Sequence, residues 1–216
     1  RRVFVNAQSD LFHKNVSDDF IARVFVTMAR APQHVFQILT KRHGRMRSLL
    51  SSDDFADRVG WASMTDSPWP LPNVWLGVSV EDQATADLRI PALLDTPAAV
   101  RWISAEPLLG PVDLREWVHT PECLSDDDDG PPWCTCGLFL SGGLGWVVVG
   151  GESGPGARPM HPDWARSLRN QCASAGVAFH FKQWGEHGQD GRRVGKRAAG
   201  DLLDGVQHHA YPDGAS

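Results

Sequence analysis

Apolar positions fall into short, nearly continuous runs, separated by stretches in which they recur every third or fourth residue. Val3-Phe4-Val5, His34 to Leu39, Val74 to Val80, Val100 to Ser104, Trp146 to Val149 and Val177 to Phe181 are rich in β-branched and aromatic residues. Each reads as a strand. Between the first two, Phe20, Val24 and Met28 repeat at helical spacing behind Ser17-Asp18-Asp19. That is a capping residue followed by acids where a helix N-terminus favours them. Further helices are expected over residues 43–50, over about 81–94, and from Pro162 to about Ala175 with Gly176 as the C-cap. Residues 51–73, rich in Asp, Ser and Pro, read as a loop. Residues 115–143 read as an inserted loop, with an Asp run at 126–129. The expected layout is one domain over 1–184 and a polar, Gly-rich extension over 185–216.

Strands that are apolar along their whole length and alternate with helices predict an α/β fold with a parallel sheet covered by helices. No Gly-x-Gly-x-x-Gly follows the first strand, so a partial, TIM-like parallel (β/α) barrel fits better than a dinucleotide-binding sheet. Every strand runs into a polar cluster: Asn6/Asp10, Thr40/Lys41/Arg42, Ser79/Glu81/Asp82, Ser104/Glu106, Glu152/Ser153 and Lys182/Gln183. Sites in parallel α/β folds gather at the C-terminal strand ends. Asn6, Lys41, Glu81, Glu106, Glu152 and Lys182 are therefore expected to face one cavity. Any single cluster is better explained as loop polarity, because every strand must end in water; the six together point to a site.

With 216 residues the chain can bury roughly 70% of its unfolded surface and needs neither disulfide nor metal to fold. Its net charge of −5 disfavours a general nucleic-acid or anionic-membrane binder, although a local basic groove remains compatible with it. No apolar run reaches the length of a membrane span, and no signal-peptide pattern is visible. Four cysteines in no small-scaffold pattern point to a reducing compartment, hence to the cytoplasm.

Among the motifs, Gly150-Gly151-Glu152-Ser153-Gly154 with Arg158 carries most information. Glycines after a buried strand let backbone N–H groups approach a ligand. Glu152 suits an ammonium or hydroxyl, and Arg158 a carboxylate or phosphate. The plain alternative is a tight turn that needs left-handed glycines. Glu106 precedes Pro107, which biases it towards an extended conformation at a strand end. Residues 40–47 form the densest basic cluster, and Arg192, Arg193, Lys196 and Arg197 a second one. The first reads equally as an anion-facing strand end or a solvated helix start; the second reads as a solvated face, with nucleic-acid contact as the alternative. His119, Cys123, Cys134 and Cys136 supply four N/S donors in the inserted loop, a zinc candidate with irregular spacing. Cys172 reads as core. No catalytic triad, P-loop or His-Glu-x-x-His is present, so no catalytic residue is assigned.

Residues 2–13, 37–42, 73–81, 104–114, 150–161 and 181–185, with Leu203-Asp204-Gly205 and Tyr211-Pro212, resemble in order the blocks of a phage-associated, radical-SAM-like family of uncharacterised bacterial proteins. The resemblance implies a three-cysteine element upstream, ending in Cys-x-x-Cys-Tyr, that ligates a [4Fe–4S] cluster and leaves one iron open to S-adenosylmethionine. This chain begins at Arg1 without that element and reads as an N-terminally truncated member lacking the first β/α unit. It is expected to bind no cluster itself. In a full-length parent, Glu152 or Glu106 would hold the methionine ammonium and Arg158 or Lys41 its carboxylate. These roles come from the chemistry of the residues. The other class of reading is a non-catalytic phage or mobile-element protein that keeps the barrel as a binding or nucleic-acid-associated module.

Overall fold

The computed structural model describes residues 1–118 and 143–212. Chain order runs β1 (Arg2–Val5), α1 (Asp18–Ala29), β2 (Val35–Thr40), α2 (His43–Leu50), α3 (Asp53–Ser63), β3 (Val74–Ser79), α4 (Gln83–Leu94) and β4 (Val100–Ala105). There follow β5 (Trp146–Gly150), α5 (Pro162–Ala175), β6 (Ala178–Gln183), α6 (Lys196–Ala199) and a hairpin of β7 (Leu202–Leu203) and β8 (Val206–Gln207). The first six strands form one sheet in chain order. The pairings β1–β2, β2–β3 and β5–β6 are parallel, as the strand–helix alternation predicts. Two compact units emerge: residues 1–78 with 91–102, and residues 79–90 with 103–216.

In the first unit, Ser17 Oγ accepts from Phe20 N–H at 3.2 Å and starts α1. The helix buries Ile21, Phe25 and Met28. Phe25 meets Phe55 of α3 edge-on, ring centres 5.6 Å apart. That helix corrects the expected loop over 51–73. Ser52 caps it, Asp53 and Asp54 occupy its first turn, and Phe55 and Val59 form its buried stripe. Its apolar face is so narrow, and its acids so many, that composition masks the helical period. The buried Asn73 amide donates to the carbonyls of Met28, Ala31 and His34, fixing the exit of α1 to the start of β3. A Cβ on Gly77 would stand 2.4 Å from the Trp102 ring, so only glycine lets that indole pack on β3. Phe4 leans on the same indole, ring centres 6.2 Å apart, although three of the four β1 residues are exposed.

In the second unit, β5 is buried at all five positions. His161 accepts from Asp163 N–H to cap α5, and Gly176 (φ 66°) ends the helix in the left-handed conformation that glycine tolerates. The polar extension is not a loose tail. Phe181 N–H donates to His208 O at 2.8 Å and Ala210 N–H to Phe179 O at 3.1 Å, adding residues 208–210 along β6. Asp204, at the hairpin turn with φ 54°, accepts from the Arg166 and Arg169 guanidinium groups of α5 and from Gln189.

Candidate functional site

Each unit carries its own strand-end cluster. In the first, Asp10 lies in the turn after β1. One of its carboxylate oxygens accepts from Thr40 Oγ1 at 2.7 Å and from Phe12 N–H at 3.0 Å, the other from Lys41 N–H at 3.1 Å. Thr40 is almost wholly buried and its hydroxyl also accepts from Arg42 N–H. The carboxylate thus ties the β1 turn to the end of β2. Asn6 is exposed, with φ 59°, a left-handed position that Asn fills more readily than most residues. The basic run around it is largely engaged within the protein. Arg45 donates to the carbonyls of His13 and Val16 and to Asp18, and Arg47 pairs with Asp95 at 3.1 Å.

The second unit arranges its strand ends around Glu106, just beyond β4. One Glu106 oxygen accepts from Lys182 Nζ at 2.7 Å, the other from Gln183 Nε2 at 2.9 Å. Gln183 Nε2 also donates to Ser153 Oγ at 3.1 Å. Consecutive strand residues ordinarily point to opposite faces. The β5–β6 register explains why Lys182 and Gln183 both reach one carboxylate: Val149 pairs with Phe181 and Gly150 with Gln183, so Lys182 is the extra residue of a bulge. Gly150 completes the cradle, because a Cβ there would lie 3.1 Å from the Glu106 carboxyl carbon. The Glu106–Pro107 peptide is cis, and Leu108 N–H donates to Gly150 O at 3.0 Å. The Glu106 side chain is 19% exposed and that of Lys182 51%, so the pair opens to solvent on its lysine side.

A family model matches residues 1–212. The chain belongs to DUF5131, a family of proteins of unknown function. No curated protein and no solved structure matches it.

Of the residues expected at a site in this DUF5131 chain, Glu106, Gly150, Ser153 and Lys182 come together. Gln183, at their centre, stands in the Lys182/Gln183 strand-end cluster but not among the residues expected to face the cavity. Glu152 and Arg158 form a pair of their own. Arg158 Nε and Nη2 donate to the two carboxylate oxygens at 2.9 Å each, and Arg158 N–H adds a third bond at 2.8 Å. Those bonds hold the Glu152 carboxyl down at about 2. Glu81 is taken up by Arg89 of α4 at 2.9 Å, and Arg89 also donates to Ser79 O. Lys41 joins the Asp10 cluster through its backbone N–H, and Asn6 lies in the turn after β1, its carbonyl accepting from Ser9 N–H. Of the glycines that the sequence offers to a ligand, Gly150 and Gly151 are packed against the protein itself. A Cβ on Gly151 would stand 1.9 Å from Trp184 O, and one on Gly185 2.1 Å from Glu152 O, so these two backbones need glycine to pass each other. Gly154 and Gly156 have open space and left-handed φ of 99° and 75°, which makes them turn residues.

The zinc candidate His119, Cys123, Cys134 and Cys136 lies outside the described residues. Cys172 is buried in α5, and burial pushes its thiol up to about 12, which leaves it inert. Among the described residues no three His, Cys, Asp or Glu side chains stand together as a metal site, and no helix is long and apolar enough to cross a membrane.

Proposed function

We propose that this chain is a ligand-binding, partial (β/α) barrel of the phage-associated, radical-SAM-like kind, with its site at the Glu106 end of β4, β5 and β6. The observation that supports the reading is the convergence of Glu106, Lys182, Gln183 and Ser153 from three different strand ends beside Gly150. The methionine end of S-adenosylmethionine carries an α-ammonium and an α-carboxylate. A carboxylate and an exposed lysine in contact offer the complementary pair: Glu106 for the ammonium and Lys182 for the carboxylate. Inserting such a zwitterion trades one ion pair for two. Gln183 keeps the inner Glu106 oxygen in place meanwhile, so the carboxylate needs little reorganisation.

The iron–sulfur cluster does not fit the described residues. Cys172 is the only cysteine among them and its thiol is buried. In a longer protein carrying the three-cysteine element, bound S-adenosylmethionine would supply radical chemistry and this chain's strand ends would hold its amino-acid portion. The competing reading, a non-catalytic binding module, draws on the same lack of cluster ligands.

Calorimetric titration of the chain with S-adenosylmethionine separates the two. Saturable binding that weakens more than tenfold in Glu106→Gln, about 1.4 kcal/mol, is the expected result. A folded chain that shows no heat of binding would overturn the proposal and leave the non-catalytic reading.

A further inference from the structure

Lys182 and Gln183 have a second face. With Lys196, Arg197, Gly200 and Asp201 they line a shallow hollow of about 420 Å³, open to solvent. Lys196 and Arg197 also border an adjoining concavity of about 620 Å³ beside Glu186 and Val194. The charges around these hollows are unevenly compensated. Lys182 is paired with Glu106. Asp201 accepts from Gln207 Nε2 at 3.0 Å and faces His209 Nε2 at 3.3 Å. Arg192 stands 3.6 Å from Asp190, and Arg193 3.7 Å from Glu186. Of the Lys and Arg side chains here, only Lys196 and Arg197 have no hydrogen bond or ion pair among the described residues. Two adjacent uncompensated cations, in a chain whose net charge is −5, border the residues that hold Glu106.

From this geometry we infer that the Lys196–Arg197 cavity receives a phosphate group, so that the ligand worked on at the strand ends is a phosphorylated one. A phosphate monoester carries close to two negative charges at neutral pH and is drawn to these two cations, against the Asp201 carboxylate on the same rim. Arginine offers it a planar fork and lysine a point charge. The hollow is wide open to solvent, so it admits a phosphate carried on a larger organic group, such as a nucleotide. Lys182 lies on both sites and links the phosphate end to Glu106. That the phosphorylated ligand also meets the strand ends rests on the reading proposed for Glu106; the phosphate site itself does not.

The test titrates the chain with uridine 5′-monophosphate, with uridine, and with single-stranded oligouridylate. Uridine monophosphate should bind at least tenfold tighter than uridine, and its affinity should fall as salt rises, because screening weakens exposed charge pairs. The double variant Lys196→Ala/Arg197→Ala changes only exposed side chains. It should keep its thermal midpoint and lose at least tenfold in affinity for the monophosphate. Equal affinity of nucleotide and nucleoside, absent nucleotide binding, or an unchanged affinity in the folded double variant would each overturn the inference. The third probe identifies the source of the phosphate. Oligouridylate binding far tighter, with a steeper salt dependence, assigns the site to a nucleic-acid strand, and equal affinity assigns it to a free nucleotide. Failure of S-adenosylmethionine to bind a chain that does bind the monophosphate counts against the strand-end reading alone.

Discussion

Asp10 and Glu106 are both carboxylates placed by the end of a parallel strand, and their surroundings differ in kind. Asp10 is surrounded by fixed donors: two backbone N–H groups and the buried Thr40 hydroxyl. Glu106 has one fixed donor, Gln183, and one flexible donor, the half-exposed ammonium of Lys182. Backbone donors cannot leave without unravelling a turn, whereas a lysine on a flexible stem can swing to a ligand at small cost. The first arrangement holds a fold together and the second keeps a charge available. Position at a strand end does not separate the two roles; the identity of the donors does.

The largest effect expected in the second unit is architectural. Gly151→Ala drives a Cβ into Trp184 O and should lower stability by about 3 kcal/mol or more, read as a shift in urea midpoint. Gly154→Ala meets open space and only backbone strain, so about 1 kcal/mol is expected. Equal losses would mean that the approach of the two backbones is not what requires glycine. Next comes Asp10→Ala, which leaves the Thr40 hydroxyl and two N–H groups without their acceptor and should remove about 2 kcal/mol in thermal or urea unfolding. Lys182→Met should remove less than about 1 kcal/mol, because its partner contact is open to water. A larger loss for Lys182→Met than for Asp10→Ala would reverse the assignment of structural and available carboxylates.

The smallest effect concerns Glu152. Its folded carboxyl titrates at about 2, below the ordinary range near 4.5, because Arg158 bonds its charged form. A depressed carboxyl contributes stability that is fully present above the unfolded value and fades as pH falls towards the folded one. Urea midpoints measured between pH 5 and 2 should therefore drop less steeply in Glu152→Gln than in the parent chain (a window set by those two values). Parallel curves would remove the Arg158 pair from the stability of the fold.

Much of the architecture is legible in the residues, and the reasons for what is not are local. β3 and β5 are buried at every position, and an unbroken apolar run is how such strands read. The Ser17 cap of α1 and the Gly176 cap of α5 fall where the cap chemistry places them. Helix α3 stays hidden because Phe55 and Val59 are a thin stripe among Asp residues. Residues 208–210 join β6 through backbone hydrogen bonds, which His and Ala side chains do not announce. At the site, Glu106 and Lys182 stand out as charges at strand ends. Gln183 does not, because its role depends on the bulge after Val149, and no side chain signals that register change. Glu152 and Arg158 each look like ligand contacts in the sequence, and in the fold they are bonded to one another. A pattern of charges along a chain cannot distinguish a partner within the fold from a partner outside it.

The contrast between the two carboxylates comes down to one paired titration. S-adenosylmethionine is titrated calorimetrically into Asp10→Asn and Glu106→Gln, each first checked for folding by its unfolding midpoint. Asparagine keeps an acceptor oxygen for the Thr40 hydroxyl, and glutamine keeps one for Gln183, so both variants retain part of their native bonding. The account predicts that Asp10→Asn binds within about twofold of the parent, while Glu106→Gln weakens by more than tenfold, about 1.4 kcal/mol. Equal losses in the two variants, or a loss confined to Asp10→Asn, would contradict it.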